Sequence, residues 1–326
     1  MRHILIAGKL HPAGLALLER TPGVTYTHIE EISEESYAPH LRAADAVVIR
    51  TQPMTGPTIA TGGRLKIVSR HGVGYDAVDV HALNARGIPL CVVGDVNSVS
   101  VAEHAMMLIL ASVKRLHRAD AAVRTGHWGW RNMLEAGEVS GKRLLVIGFG
   151  RIGRNLARMA ALFGMDVRAH DPFLLSQGWP ECEAGPAASL IDGLAWADVV
   201  SVNLPKADRP ILGAAELSAM KRGSIVINTA RGGIVDEAAL AAALASGQIG
   251  AAGIDVFDTE PPGPDHPLLA FDQVILTPHV AGLTAEAAER MAVASVQNVL
   301  DFFAGRLDPA LVVNAAALSG TRDTVK

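Results

Sequence analysis

The sequence predicts an α/β fold made of two doubly wound parallel sheets, a flavodoxin-like domain and an inserted Rossmann domain. Short apolar runs alternate with helix-like stretches along the chain, which is typical of parallel sheets covered by helices. A glycine turn of the form GxGxxG, from Gly148 to Gly153, directly follows the apolar run 144–147 and opens a helix-like stretch. A second regular series of strands begins there, which indicates a second sheet.

The first hundred residues contain short apolar runs of strand length. The predicted strands are 4–7, 24–27, 46–49, 65–69 and 89–93. A short helix is predicted at 79–86, because Gly87 would end it. We expect these elements to form a first domain.

A long helix is predicted after this domain. Ser100 and Glu103 have the spacing of a capping box, in which the serine caps the helix and the glutamate three residues later closes the first turn. The helix would run through 105–122 and end near Gly126. Its apolar face, 106–110, is expected to lie in a core or a subunit interface.

From Lys142 onward the alternation is regular again and predicts the Rossmann domain. The predicted strands are 143–147, 166–169, 199–202, 224–228, 252–256 and 274–276. Helices are expected between them, for example at 152–163 and 236–245. Six strands with intervening helices fit a dinucleotide-binding sheet.

A last long helix is predicted at 285–304, capped by Thr284. Because it follows the last Rossmann strand, we expect the chain to cross back to the first domain. The first domain would then be discontinuous and comprise residues 1–98 and 286–326, whereas 99–285 would form the NAD-binding domain.

Composition narrows the possible partners. The chain has 326 residues and a net charge of −4, which gives no reason to expect nucleic acid or an anionic membrane as a partner. Cys91 and Cys182 lack metal-ligand spacing, so we expect reduced thiols, no metal site and a cytoplasmic protein. The apolar run at the N-terminus is too short for a signal peptide, and no run is long enough to span a bilayer.

The glycine turn predicts a dinucleotide site. Gly148 permits the tight bend, Gly150 lets the backbone approach a pyrophosphate, and Gly153 lets the helix lie close to the strand. The helix N-terminus would offer N–H groups to the phosphates. Asp171 follows the next strand, where an acidic side chain binds the adenine ribose and repels a 2′-phosphate. This favours NAD over NADP, and the alternative is that Asp171 caps a helix or turn.

Three further residues point to an acid/base reaction on a carboxylate substrate. Arg231 follows the strand 224–228, and a guanidinium binds a carboxylate through two hydrogen bonds. His279 also follows a strand, and an imidazole can exchange a proton near neutral pH. Glu260 lies in a proline-rich loop, and a carboxylate beside an imidazole favours its protonated form. The alternatives are a surface arginine, a structural histidine and a solvated loop acid.

With these residues, the chain resembles the D-isomer-specific 2-hydroxyacid dehydrogenases, in particular the branch of phosphoglycerate dehydrogenase and glyoxylate/hydroxypyruvate reductase. The resemblance covers nearly the whole chain. Its motifs are 70–76, 97–104, the glycine turn, 228–232, 255–262 and 277–279. The last three are specific to that family and are not found in Rossmann proteins generally.

The resemblance implies roles for the matching residues. Arg231 would bind the substrate carboxylate together with the backbone amides of Val73 and Gly74, His279 would be the acid/base, and Glu260 would bind His279. It also implies that the discontinuous first domain binds the substrate, and that the protein is a homodimer built largely on the nucleotide domain. The expected cofactor contacts are Ser100, Gly148, Phe149, Gly150, Arg151, Ile152, Gly153, Asp171, Asn203, Pro205, Thr229, Asp255 and Gly282.

The sequence departs from the family pattern in one segment, because Asn203-Leu204-Pro205 stands where family members commonly have His-Leu-Pro. The chain ends soon after the returning helix, so an appended regulatory domain is not expected.

The predicted function is NAD-dependent interconversion of a small 2-oxo acid and its D-2-hydroxy acid, of the 3-phosphoglycerate, glycerate/hydroxypyruvate or glyoxylate class. Arg50, at the end of a strand, could bind an anionic substrate tail or be a solvated surface residue. The rival interpretation is a non-enzymatic NADH-sensing protein on the same scaffold.

Overall fold

The computed structural model describes residues 1–182 and 184–320. The chain divides into two compact units, one formed by Met1–Asn97 and the chain from Thr284 onward, the other by Ser98–Leu283. In the described residues the strands are β1 (Arg2–Ala7), β2 (Val24–Ile29), β3 (Ala46–Ile49), β4 (Ile67–Arg70), β5 (Leu90–Cys91), β6 (Arg143–Ile147), β7 (Asp166–His170), β8 (Gly185–Pro186), β9 (Val199–Val202), β10 (Ser224–Asn228), β11 (Ile249–Ile254) and β12 (Val274–Leu276).

The α-helices fall between these strands and after the last one. They are α1 (Pro12–Glu19), α2 (Glu34–Tyr37), α3 (Gly56–Thr61), α4 (Val80–Ala85), α5 (Ser98–Val113), α6 (Leu116–Arg124), α7 (Arg151–Leu162), α8 (Pro172–Gln177), α9 (Leu190–Trp196), α10 (Ala214–Ala219), α11 (Glu237–Ala245), α12 (Ala285–Phe303) and α13 (Ala315–Gly320). No helix of the described residues is both long enough and apolar enough to cross a bilayer.

The first unit is a parallel sheet with the order β2-β1-β3-β4-β5, which is the flavodoxin-like order. One face of the sheet packs around side chains such as Leu5, Val47 and Tyr37. The other face packs Ile4 and other strand residues against α12. Because both faces are covered, β3 is buried along its whole length. Helix α12 thus returns the chain to the first sheet.

The second unit is a parallel sheet with the order β12-β11-β10-β9-β6-β7-β8. Strand β6 lies between β7 and β9, so the chain winds to both sides of it, as in a Rossmann sheet. The turn after β6 therefore lies at the switch point, where such sheets bind ligands. The predicted fold class is confirmed for both units. The sheet also contains β8, a two-residue strand that the sequence did not predict.

The prediction of one long helix from Ser100 is wrong in two respects. Helix α5 begins at Ser98, so Ser100 lies inside its first turn and is not its cap. The helix ends at Val113, and α6 begins after Arg115, whose φ of 51° is left-handed. The Arg115 guanidinium donates 2.9 Å to the Gly250 carbonyl, so a tertiary contact fixes this break.

Candidate active site

The glycine turn after β6 requires glycine at two positions. Gly148 has φ +87°, and a Cβ there would lie 2.6 Å from the Asn203 carbonyl oxygen. A Cβ on Gly153 would collide with the Gly148 carbonyl oxygen. Both obstacles are backbone atoms, which cannot rotate away as a side chain can. Backbone atoms therefore fill the space beside both glycines, and α7 lies directly against the end of β6.

Gly150, by contrast, faces open space. Apart from Gly150 itself and its two chain neighbours, no described residue has a heavy atom within 4 Å of a Cβ built on it. Gly150 is the N-cap of α7, and the described side chains make no cap hydrogen bond there. The first N–H groups of this 12-residue helix are thus available to a ligand. This combination fits a pyrophosphate, which needs close backbone approach and N–H donors.

Polar atoms without protein partners lie along the same edge of the sheet. The Asn203 Oδ1, His170 Nδ1 and Thr229 Oγ1 atoms are buried and have no hydrogen-bond partner within the described part of the chain. They belong to the ends of β7, β9 and β10 or to the residues just after them. A bound dinucleotide carries hydroxyl and amide groups that could satisfy such atoms. The residues present therefore fit a dinucleotide cofactor.

The Asp171 carboxylate accepts three hydrogen bonds from backbone N–H groups. Its Oδ1 accepts the Phe173 and Leu174 N–H groups at 3.1 and 3.2 Å, and it caps α8. Its Oδ2 accepts the Phe149 N–H in the glycine turn at 2.9 Å. The structure thus contains the helix cap that was the alternative interpretation. A ribose contact would have to be made by the same carboxylate.

Asp255 organises the turn that carries His279. Its side chain is fully buried, and its two oxygens accept the Val280 and Ala281 N–H groups, each at 2.9 Å. Its Oδ1 also accepts the Thr277 hydroxyl at 2.5 Å. With these contacts the carboxylate faces the protein interior. Because its side chain is buried, Asp255 would affect a bound cofactor by fixing this turn.

His104 joins the same network. Its Nε2 lies 3.0 Å from Thr277 Oγ1 and 3.6 Å from Asp255 Oδ1. The residue lies on α5, 173 positions before Thr277 in the chain. This sequence separation explains why no local pattern could indicate the contact.

His279 and Glu260 form a pair. The His279 Nδ1 lies 2.7 Å from Glu260 Oε2, and the two side chains are 49% and 37% exposed. Glu260 Oε1 accepts the Phe257 N–H at 3.0 Å, which fixes the other end of the carboxylate. His279 has φ 51°, and its N–H donates 2.8 Å to the Asp255 carbonyl. Because Nδ1 contacts Glu260, Nε2 is the ring nitrogen that remains available to a substrate.

Arg231 lies in a loop that packs against the loop of Glu260. Asn228 holds the Arg231 loop, because its side chain donates to the Arg231 carbonyl at 3.0 Å and accepts the Ala230 N–H at 3.0 Å. A Cβ on Gly232 would collide with the Phe257 carbonyl oxygen. Glycine at this position therefore lets the two loops touch through their backbones.

The remaining predicted cofactor residues are spread over the second unit. Ser100 is buried in the first turn of α5. Pro205 is exposed in the loop after β9, and Gly282 is half-buried after the His279 turn. Phe149 is buried and stacks on Trp179, with ring centroids 5.3 Å apart. Arg151 and Ile152 are the first residues of α7.

The predicted substrate residues lie in the first unit. Arg50 follows β3, and Val73 and Gly74 lie in the loop after β4, so all three are at the carboxyl edge of that sheet. His71 is buried there, and burial together with the nearby Arg50 lowers the pKa of His71 to about 4. Its imidazole is therefore neutral at physiological pH.

Comparison with known proteins identifies the family. The profile of "D-isomer specific 2-hydroxyacid dehydrogenase, NAD binding domain" matches residues 106–281, which is more than half of the chain. D-3-phosphoglycerate dehydrogenase of Mycobacterium tuberculosis is 38% identical over 309 residues, covering 94% of this chain and 58% of that protein. The chain thus spans little more than half the length of that relative.

Two other similar proteins match over nearly their whole length. Glyoxylate reductase of Aeropyrum pernix is 36% identical, covering 95% of both chains. The crystal structure of an NADPH-dependent glyoxylate/hydroxypyruvate reductase from Sinorhizobium meliloti has a TM-score of 0.81 and 30% identity, covering 93% of this chain and 95% of that one. The chain belongs to the D-isomer specific 2-hydroxyacid dehydrogenase family, and residues 106–281 match its NAD-binding domain.

Proposed function

We propose that the chain is an NAD-dependent D-2-hydroxyacid dehydrogenase that reduces a small 2-oxo acid and runs reversibly. The observation that carries this proposal is the 2.7 Å contact between His279 Nδ1 and Glu260 Oε2. It lies in the same unit as the open glycine turn and the Arg231 loop. A proton donor, a carboxylate anchor and a dinucleotide site are the parts that such a reaction needs.

The residues of the chain would divide the work as follows. Gly150 and the N-terminus of α7 bind the pyrophosphate, and the bound nicotinamide supplies or accepts the hydride. Arg231 binds the substrate carboxylate and orients the carbonyl. His279 donates the Nε2 proton to the carbonyl oxygen during reduction and takes it back during oxidation. Glu260 holds the ring by Nδ1 and favours its protonated form.

A substrate panel tests this proposal. The absorbance band of NADH is followed after addition of glyoxylate, hydroxypyruvate or 3-phosphohydroxypyruvate. Loss of the band with at least one of them, and its return with NAD and the matching D-2-hydroxy acid, is the expected result. Tight NADH binding without turnover on any 2-oxo acid would instead support the NADH-sensing alternative.

Glu260→Gln tests the acid/base pair. Reduction needs protonated His279, so its rate falls as the pH rises through the titration of the ring. A neutral amide stabilises the imidazolium less than a carboxylate does, and we expect this fall at lower pH. The glutamine keeps an oxygen for the Phe257 N–H. The matched control is Glu216→Gln, which alters a glutamate that bonds Gly213 in its own helix cap. An unmoved profile would contradict the pairing.

Asp171 is proposed to set the preference for NADH. We expect the wild type to use NADH at least about tenfold better than NADPH, because the carboxylate repels a 2′-phosphate. Asp171→Asn should narrow this ratio while keeping an oxygen for the α8 amides, since asparagine caps helices as well as aspartate. Asp79→Asn, at the cap of α4, is the control. The measurement is the ratio of kcat/KM with NADH to kcat/KM with NADPH. Equal use of both cofactors by the wild type would exclude this role of Asp171.

Arg50 is proposed to bind an anionic tail of the substrate. If so, 3-phosphohydroxypyruvate is reduced faster than glyoxylate, and Arg50→Ala loses roughly 1.5–3 kcal/mol in kcat/KM with the phosphorylated substrate only. The control is Arg42→Ala, an exposed arginine of the same unit. Equal losses with hydroxypyruvate would instead assign Arg50 to the fold or to the shared carboxylate site.

We also propose that the chain forms a homodimer through the second unit. Helix α6 and the following 3₁₀ turn Trp128–Met133 contain no fully buried residue. They expose large apolar side chains, whereas both ring nitrogens of His117 and the Trp130 Nε1 are buried without a partner among the described residues. A second copy could cover the apolar side chains and supply these partners.

A further inference from the structure

A second histidine–glutamate pair lies beside the loop that carries Glu260. Glu237, in the first turn of α11, has its Oε2 2.8 Å from the Nε2 of His266, and the side chains are 16% and 12% exposed. Its other oxygen, Oε1, accepts the Asp258 N–H at 2.9 Å. A single carboxylate therefore binds both ends of segment 258–266.

This segment contains Glu260 and has no regular secondary structure before the short 3₁₀ turn Pro267–Ala270. Its conformation thus depends on contacts with the rest of the unit. The Phe257 N–H, adjacent to the Glu237 contact, is also the group that fixes Glu260 Oε1. Displacement of the Asp258 backbone would move the Phe257 N–H, and with it the carboxylate that binds His279.

His266 strengthens the far end of the segment in two ways. Its Nδ1 accepts the Leu268 N–H at 3.4 Å, which leaves the proton on Nε2 for donation to Glu237. Its ring meets the Phe257 ring edge-on, with centroids 5.5 Å apart. The histidine therefore ties the end of the segment back to its beginning.

The pair lies in an acidic environment. Asp258 lies near Glu237, His266 and Asp236, and burial together with Glu237 raises the pKa of Asp258. Within this group of carboxylates, the His266 Nε2–H donates to Glu237. Removal of Glu237 would thus change both the charge and the backbone hydrogen bonds of the segment.

We propose that Glu237 and His266 are positioning residues that hold the Glu260 loop and thereby fix the contact between Glu260 and His279. The inference rests on the proposed dehydrogenase function, but its prediction concerns the ionisation of His279 and can be measured without turnover. The pair touches neither substrate nor cofactor in this scheme. It acts only through Glu260.

Glu237→Ala is the main test. A looser Glu260 carboxylate stabilises the imidazolium less, so the pH at which reduction falls should move down, in the same direction as in Glu260→Gln but by a smaller amount. We expect kcat to fall about tenfold and KM to rise by a smaller factor. The affinity for NADH should not change. In the Glu260→Gln background, Glu237→Ala should add no further shift, since both act on one contact.

Three variants separate positioning from general stability. Glu237→Gln keeps an oxygen for the Asp258 N–H but turns its NH2 group toward the donating Nε2 of His266, so it should shift the pH profile less than Glu237→Ala does. Glu216→Ala removes another first-turn glutamate of the second unit and should lower thermal stability without moving the profile. His266→Ala removes the Glu237 contact and the Phe257 ring contact but keeps the Asp258 N–H bond to Glu237, and it should shift the profile in the same direction if Glu237→Ala does not fold. A shift in Glu216→Ala as large as in Glu237→Ala would overturn the proposal.

NMR titration of ¹³C-labelled histidines gives the readout that does not need activity. The His279 signal, assigned by its absence in His279→Gln, should titrate at lower pH in Glu237→Ala than in the wild type. Unchanged titration would overturn the positioning role even if the enzyme is active. A shifted titration in a protein that reduces no 2-oxo acid would support the positioning role and reject the proposed function.

Discussion

In the His279→Ala variant, we expect reduction of the best 2-oxo acid to fall by about 10²–10⁴-fold, the usual contribution of a general acid. The methyl group cannot donate a proton, and it leaves Glu260 without its partner. NADH binding should stay at the wild-type level, because the glycine turn and α7 lie on other elements. Steady-state kinetics and NADH fluorescence titration measure the two quantities.

His81→Ala serves as the control, because His81 is an exposed histidine on α4. It should leave both quantities unchanged. If His279→Ala kept more than a tenth of wild-type turnover, or lost NADH binding together with turnover, His279 would be assigned to the cofactor site or to the fold.

Arg231→Lys should lower kcat/KM for the 2-oxo acid about 100-fold, which corresponds to about 2.7 kcal/mol of transition-state stabilisation. Lysine keeps the positive charge but is a single point donor, whereas the guanidinium is planar and can bind both carboxylate oxygens. The lost orientation should appear in kcat as well as in KM. Initial rates over a range of substrate concentrations separate the two.

Arg222→Lys is a matched control, because Arg222 lies before β10 and Arg231 lies after it. Arg222 donates to the Ser246 carbonyl at 2.9 Å, at the opposite edge of the sheet. We expect wild-type kinetics for Arg222→Lys. Wild-type kinetics for Arg231→Lys as well would remove Arg231 from the proposed site.

Much of the fold could be predicted from the sequence because its signals are local. Strand β6, the glycine turn and the start of α7 form one continuous pattern of apolar run, glycines and helix. The cap Thr284 and the helix α12 were also predicted correctly, since the threonine accepts the Ala287 N–H at 3.1 Å. Such patterns depend on residues within one or two turns of each other.

The errors arose where distant contacts decide local structure. The Ser100–Glu103 spacing matched a capping box, but the helix starts at Ser98, whose hydroxyl accepts a hydrogen bond from the Asn155 side chain at 3.1 Å. The helix break at Arg115 depends on Gly250, 135 residues later. No local pattern encodes such partners.

The candidate site divides in the same way. The residue types and order of Arg231, Glu260 and His279 were visible in the sequence. Two contacts could not be seen in the sequence: that between Gly232 and Phe257, and that between Glu237 and the loop of Glu260. Both depend on which loops of a parallel sheet lie side by side, and that is set by strand order.

The left-handed backbone of His279 also affects how this protein can be stabilised. The left-handed backbone at φ 51° costs a non-glycine residue roughly 1 kcal/mol relative to its preferred conformation. The hydrogen bond from the His279 N–H to the Asp255 carbonyl helps to hold the residue in this conformation. Selection for thermal stability alone would therefore favour glycine or asparagine at this position. A screen for heat resistance without an activity criterion would tend to remove the proposed proton donor, so the two properties must be selected together.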